Sequence, residues 1–479
     1  MTTEAELDAM SPDRDRAEAV VPMPVQVSKP AEEGLVRRLG LFDMTMLVMG
    51  CVVGTGVFII PSTVARQLRS PLLILSAWLT GGLISLIGAF IYAELSCRRP
   101  NVGGQYAYLR EAYHPAVSFV YGWCLLLVVQ TGAMAAVAIV SARYLNELTH
   151  LRAPEWLVAV CAISVLSFVN CLGVRTGSTT QDIFMLLKIA VILGIILCGF
   201  LLLTRSLPSL GLSTHAVPAH GKTNWELASA FGTAMVPILF SYGGWQMATF
   251  LGGEVRNPKT NLPRGLIIGV AGVIALYLGF NFVCIHAIGA SGLATSIAPA
   301  SDIMRRAIGD IGASVIALGI TISGLGYLSQ ATLTSPRVYF AMARDGVFFR
   351  SVAWLHPRTR VPIVAIILQG FVAMVIAVSG KYDQILNYVM SVEMIFIVLT
   401  AGSVFWFRRT DREVGGSTDY AIPGHPVTTV FFMVGDIFVI IALFYKFPMN
   451  SLIGLGIALL GVPIYFLWKP EESPIQRLI

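Results

Sequence analysis

The chain has 479 residues, 56% of them hydrophobic and 13% charged, with a formal net charge of +6 and a mean hydropathy of +0.74. A soluble domain could not hide that much apolar surface, and apolar runs of roughly 20 residues recur along the chain. The positive balance is spread among many short segments, so no nucleic-acid partner is implied.

Residues 1–35 mix acidic, basic and proline residues without an apolar run and read as a disordered tail. They lack the charged-then-apolar pattern of a secretory signal, so the first span is expected to be a mature helix. Twelve spans are predicted, at 40–64, 72–97, 114–146, 155–174, 181–204, 226–252, 263–290, 310–342, 361–379, 383–407, 426–447 and 449–468. With the N-terminus inside, the cytoplasmic segments and span ends hold 22 Lys and Arg and the outer ones 10, while Lys188 alone lies well inside a span. A bias of that size fits an even number of spans in a cell membrane, with both termini cytoplasmic.

Glycine clusters interrupt spans 1 and 6, at Gly50-Cys51-Val52-Val53-Gly54-Thr55-Gly56 and at Phe240-Ser241-Tyr242-Gly243-Gly244-Trp245. A membrane helix broken by glycine exposes backbone N–H and C=O groups that lipid cannot satisfy, so protein, water or a bound solute must do so. Interrupted segments in corresponding halves are the best sequence pointer to a transporter's substrate site. Glycine here allows close backbone approach and φ > 0. The competing reading is that these glycines only let helices pack closely.

Ionisable residues at depth come next. If span 5 starts near Gln181, Lys188 lies roughly 11 Å in, near the midplane, where a charge normally faces the protein interior. Snorkelling to the surface is the alternative. Glu393 lies about 15 Å into span 10, where a carboxylate can bind a cationic group, take up a proton or form a structural pair. Asp436 on span 11 reads as an interhelical hydrogen-bonding group. Glu94 and Glu254, at span ends among arginines, read as ion pairs that latch an inner gate. The seven cysteines lie in or at the ends of spans without C-x-x-C spacing, and of the seven histidines only His286 falls within a span. They read as packing residues, and no metal or cofactor is expected.

Four stretches carry a family resemblance: Gly50–Pro61; Tyr92–Tyr108, Y-A-E-L-S-C-R-R-P-N-V-G-G-Q-Y-A-Y; Gln181-Asp182-Ile183-Phe184 leading to Lys188; and Phe240–Trp245 followed by Glu254–Pro263. Over residues 36–470 the chain resembles the amino acid–polyamine–organocation transporters, and within them the L-type amino acid transporter branch. The resemblance implies an all-α membrane protein of 12 transmembrane helices with a five-plus-five inverted repeat (LeuT-like) and discontinuous helices 1 and 6. Its parts would be a first repeat at 36–204, an extracellular loop at 205–225, a second repeat at 226–408, two peripheral helices at 409–468 and a cytoplasmic tail at 469–479. It implies substrate contacts at Val52, Thr55 and Gly56 on span 1 and at Phe240, Ser241 and Gly243 on span 6. Phe240 would act as a lid, with Trp245 a second candidate for a wall or gate. It also implies that the Lys188 ammonium replaces a sodium ion, bridging span 1 to span 8, where Ser323, Ser329 and Gln330 are candidate partners. Animal L-type proteins join a glycoprotein through a cysteine between spans 3 and 4; residues 147–154 contain none, so no disulfide-linked heavy chain is expected.

The expected function is sodium-independent transport of neutral, apolar L-amino acids by alternating access, as an exchanger or proton-coupled importer. A cationic amino acid transporter and a non-transporting amino acid receptor on the same scaffold are the alternatives. A membrane enzyme is disfavoured because no clustered nucleophile, metal ligand set or nucleotide loop is present.

Overall fold

Glycine and proline punctuate a chain that otherwise forms helix, and the breaks position everything that follows. The computed structural model describes residues 35–150, 152–205, 224–379, 382–413 and 420–468. The expected tail at 1–35 (but for Leu35), most of the loop at 205–225 and the tail at 469–479 lie outside them. Span 1 is α1 (Leu41–Val52), a 3-10 turn at Thr55–Phe58, and α2 (Ile60–Leu68). There follow α3 (Pro71–Arg98), a short α4 (Gln105–Ala112), and α5 (Pro115–Cys124) joined to α6 (Gln130–Thr149) through a π-helical segment, Leu125–Val129. Next are α7 (Glu155–Cys171), α8 (Val174–Arg205) and α9 (Asn224–Ser241), which leads into a 3-10 run at Trp245–Glu254. The remainder is α10 (Pro258–Thr295), α11 (Pro299–Ile308), α12 (Asp310–Thr334), α13 (Pro336–Arg344), α14 (Ile363–Ser379), α15 (Tyr382–Glu413), α16 (Val427–Lys446) and α17 (Pro448–Trp468).

Eight helical stretches among the described residues are long and apolar enough to cross a membrane. Three shorter apolar helices, α1, α7 and α14, coincide with further predicted spans, and α15 covers the tenth. Two boundaries differ from expectation. Span 8 is not continuous: Pro336 lacks an N–H, and the helix restarts there as α13. Helix α8 begins at Val174, seven residues before Gln181. Its polar start packs closely at Gly177 against Asn170 and Leu333, and Thr180 there satisfies its hydroxyl within the helix (Oγ1 to Thr176 O, 2.9 Å).

Helix α10 packs on α1, α3 and α8, and α12 packs on α6 and α8, so α1 and α8 sit among neighbours on several sides. One end of the bundle is tied by ions. Glu254 and Arg337 form a two-pronged pair (2.7 and 3.3 Å) with both side chains fully buried. Glu94 accepts from Arg98, from both Nε and Nη2 of Arg408, and from the Ile422 N–H. Asp345 pairs with Arg110 and accepts from the Tyr106 hydroxyl. The strand-like bridge between Leu39 and Val255 ties the start of α1 to the end of the Trp245–Glu254 run. Both glutamates read as ion-pair latches thus have arginine partners.

Candidate functional site

The two glycine clusters are true breaks, and they face each other. Helix α1 stops at Val52; Val53 (ψ 93°) and Gly54 (φ −108°, ψ −164°) are extended before the Thr55–Phe58 turn. Helix α9, carrying Pro237, stops at Ser241, and Gly244 adopts φ +102° before the next helical run. A Cβ added at Gly244 would lie 2.5 Å from the Cys51 carbonyl oxygen. Glycine is therefore required there twice over, for its left-handed backbone and for the close approach of one break to the other. The expected positive φ is not at Gly54, which is extended, and Gly56 is likewise not among the glycines with positive φ. A Cβ at Gly54 would meet nothing within 4 Å, whereas one at Gly56 would lie 3.8 Å from Ser241 Oγ. Open space thus adjoins Gly54, and the two breaks converge between Gly56 and Ser241.

The side chains divide by exposure. Val52 and Ser241 are buried, and Phe240 is 42% exposed. Thr55, Gly56 and Gly243 are partly exposed. Trp245 is buried edge-on against Tyr92, with ring centroids 4.9 Å apart, and packs over Gly88 of α3. No side chain caps the Thr55–Phe58 turn, so its first N–H groups lack a partner within the helix.

Lys188 is 1% exposed, which excludes snorkelling. Its ammonium donates to the carbonyl oxygens of Val53 (2.7 Å) and Gly50 (3.3 Å), at the end of α1. Because α8 starts early, Lys188 lies fourteen residues in, about 21 Å rather than 11 Å along the axis. Helix α12 approaches Lys188 through Gly326, where an added Cβ would lie 2.7 Å from Cε and 3.2 Å from Nζ. Ser323 and Ser329 hydroxyls and Gln330 Oε1 are buried without a hydrogen-bond partner, and Gln330 Nε2 turns to Thr334. The lysine therefore bonds to span 1, and span 8 meets it with a glycine.

Two residues that sequence reasoning passed over join the site. The Tyr277 hydroxyl of α10 lies 3.1 Å from Val52 O and 3.3 Å from Ser241 O, within donating distance of the last carbonyl on each side of the breaks. Gln246 donates through Nε2 to Glu393 Oε1 (2.8 Å) and accepts through Oε1 from the Gly244 N–H (3.1 Å). A half-buried carboxylate of α15 is thereby linked through one side chain to the second break. Glu393 and Gln246 line a small internal cavity with Gln105, Tyr121 and Met247, against the π-helical segment. The signals were present but weak: a tyrosine tip in the middle of a long apolar helix normally finds a partner. A buried glutamine beside a break must likewise be satisfied. Asp436 is buried, with Oδ2 unpartnered.

Comparison with known proteins completes this account. Residues 39–466 match the family model described as amino acid permease. The serine/threonine exchanger of Bacillus subtilis is 28% identical over 446 residues, covering 92% of this chain and 99% of that protein. The human b(0,+)-type amino acid transporter 1 is 27% identical over 395 residues, covering 81% of this chain and 80% of that protein. The human cystine/glutamate transporter is 27% identical over 441 residues, covering 91% and 85%. With its apolar helices and a match from before α1 to within α17, the chain belongs to the amino acid permease family of the amino acid–polyamine–organocation superfamily, multi-pass membrane transporters and not enzymes.

Proposed function

We propose that this chain moves neutral, apolar L-amino acids across the cell membrane by sodium-independent alternating access, as an exchanger. The observation that carries the reading is the Lys188 ammonium seated on the Gly50 and Val53 carbonyls at the end of α1. A fixed ammonium there holds the oxygens that a sodium ion would otherwise hold, so the cycle has no need of sodium. The substrate carboxylate is received by the free N–H groups at Thr55 and Gly56, where the partial positive charge of a helix start favours an anion. The ammonium is received by the carbonyls of Val52, Phe240 and Ser241, with Gly243 and Gly244 bringing the second break close. Tyr277 holds the Val52 and Ser241 oxygens when no substrate is there. Phe240, exposed beside the break, is the moving lid, and the buried Trp245 is its static wall. Met247, Val53 and Cys51 offer no charge to a side chain, which favours apolar substrates.

The frame of this proposal is twelve spans with both termini cytoplasmic. Inverted repeats occupy 36–204 and 226–408, joined by an extracellular loop at 205–225, with two peripheral helices at 409–468. The names of the relatives, exchangers and transporters of amino acids, support amino acid transport. The protein works without a disulfide-linked heavy chain. A second reading, proton-coupled import, is favoured by one observation: Glu393 is bonded through Gln246 to the second break, so a change in its charge reaches the substrate backbone contacts.

The test uses purified protein in liposomes, with and without internal amino acid, assayed for labelled leucine, alanine and arginine uptake under sodium, proton and zero gradients. Leucine uptake that needs internal amino acid and ignores sodium is expected. Uptake driven by an inward proton gradient into empty vesicles selects the second reading. A strict sodium requirement, or arginine preferred over leucine, overturns the proposal.

A further inference from the structure

The end of α15 borders a basic groove that none of the residues at the two helix breaks lines. Its apolar stretch closes with Phe405, Trp406 and Phe407, and Arg408, Arg409, Arg412 and Glu413 follow at once. Phe405, Arg408, Arg409, Arg412, Glu413 and His425 line an open groove of about 400 Å³ between this end and the start of α16. The lining thus holds three arginines against one acid. Among the described residues Glu413 pairs with Arg409 alone, at 3.4 Å with both side chains largely in solvent, an arrangement that neutralises little. Arg412 is exposed and has no ion-pair partner among the described residues. Glu94 offsets Arg408 alone among the groove arginines and is otherwise taken up by Arg98 and the Ile422 N–H, so Arg409 and Arg412 carry the groove's positive charge. The Glu94 grip fixes the Arg408 guanidinium through Nε and Nη2, with Nη1 unpaired among the described residues. The floor is apolar: Phe405 lies against the His425 ring with centroids 4.8 Å apart, and Phe405 and Trp406 are each more than a third exposed.

We infer that this groove holds the phosphodiester headgroup of an anionic phospholipid, with its acyl chains along Phe405 and Trp406. Three features point to that ligand together. Guanidinium groups one turn apart match phosphate oxygens in charge and donor geometry. They stand where an apolar helix meets the headgroup layer, at a span end reached by lipid from the side. The exposed aromatic rings immediately before them suit the same interface. The inference rests on reading α15 as a membrane span, and it is independent of what the protein transports.

The test places the full chain in nanodiscs of phosphatidylcholine with a minor fraction of phosphatidylglycerol. Lipid retained on the released protein is then counted by native mass spectrometry. The comparison is the double variant Arg409→Gln/Arg412→Gln, which leaves the Arg408–Glu94 pair in place. The wild-type chain should retain phosphatidylglycerol over phosphatidylcholine, and the double variant should bind it roughly thirtyfold more weakly. Inorganic phosphate should not displace it. Amino acid uptake in pure phosphatidylcholine vesicles should be the same for both, which shows that the variant is folded. Equal retention by wild type and variant overturns the inference. Displacement by inorganic phosphate overturns it in favour of a free anion. Absence of transport by the wild-type chain, with phosphatidylglycerol retained by it and lost from the variant, would count against the proposed function and leave the lipid site standing.

Discussion

Replacing Lys188 by methionine keeps the length of the side chain and removes its charge and donors. The ammonium makes two charge-assisted hydrogen bonds, one short (2.7 Å) and one long (3.3 Å). At about 1.5–3 kcal/mol for such a bond, and the lower figure for the long one, about 3–4 kcal/mol of restraint on the break is lost. Burying an ammonium also costs several kcal/mol, and the variant is spared that. Stability should therefore change little. The arrangement of Gly50 to Val53, however, loses its one charged tether and keeps only the neutral Tyr277 hydroxyl on Val52 O among the described side chains, and 3 kcal/mol of bias corresponds to a population shift of about a hundredfold. Exchange of labelled leucine into leucine-loaded vesicles should drop about a hundredfold or more, while the thermal midpoint of the purified protein moves by only a few degrees. Transport within twofold of wild type would refute the argument that the lysine holds the break. So would a loss of transport that merely follows unfolding.

Gly54→Ala adds a Cβ into open space at an ordinary φ, so it should fold normally yet raise the KM for leucine severalfold, if that space belongs to the substrate. Gly244→Ala meets the Cys51 carbonyl at 2.5 Å in left-handed backbone, and it should lower the thermal midpoint sharply, by at least about 2 kcal/mol of stability. Arg337→Met leaves Glu254 buried without its partner and should cost about 3–5 kcal/mol, measured by chemical unfolding in detergent. Asp411, past the apolar part of α15, is raised by burial, but hydrogen bonds from Arg99 and Arg98 outweigh that and hold its carboxyl below the usual value. It therefore stabilises the fold above the ordinary aspartate range and ceases to do so as pH falls through its lowered value. Asp411→Asn should flatten that acid limb in a thermal-midpoint profile.

Much of this protein is written locally in its sequence. The spans follow from apolar runs, the two breaks from glycine clusters flanked by helix formers, and the latches from acids at span ends near arginines; each is a property of neighbouring residues. Lys188 was legible for the same reason, because an ammonium in an apolar helix has to find oxygen. What the local pattern could not supply was distance across the chain. That Lys188 lies fourteen residues into its helix depended on whether a polar, threonine-rich start would be helical, which its packed neighbours decided. Tyr277 and Gln246 carry no motif; they matter because α10 crosses both breaks and because the turn at Gly244 aims a glutamine at Glu393, over 140 residues away. Span 8 meets the ammonium with Gly326 where Ser323, Ser329 and Gln330 were the candidates, because the lysine stem packs against that helix and leaves no room for a side chain there. Helix and break are short-range consequences of side-chain and backbone chemistry, whereas the partner of a buried polar atom is chosen only when distant helices meet.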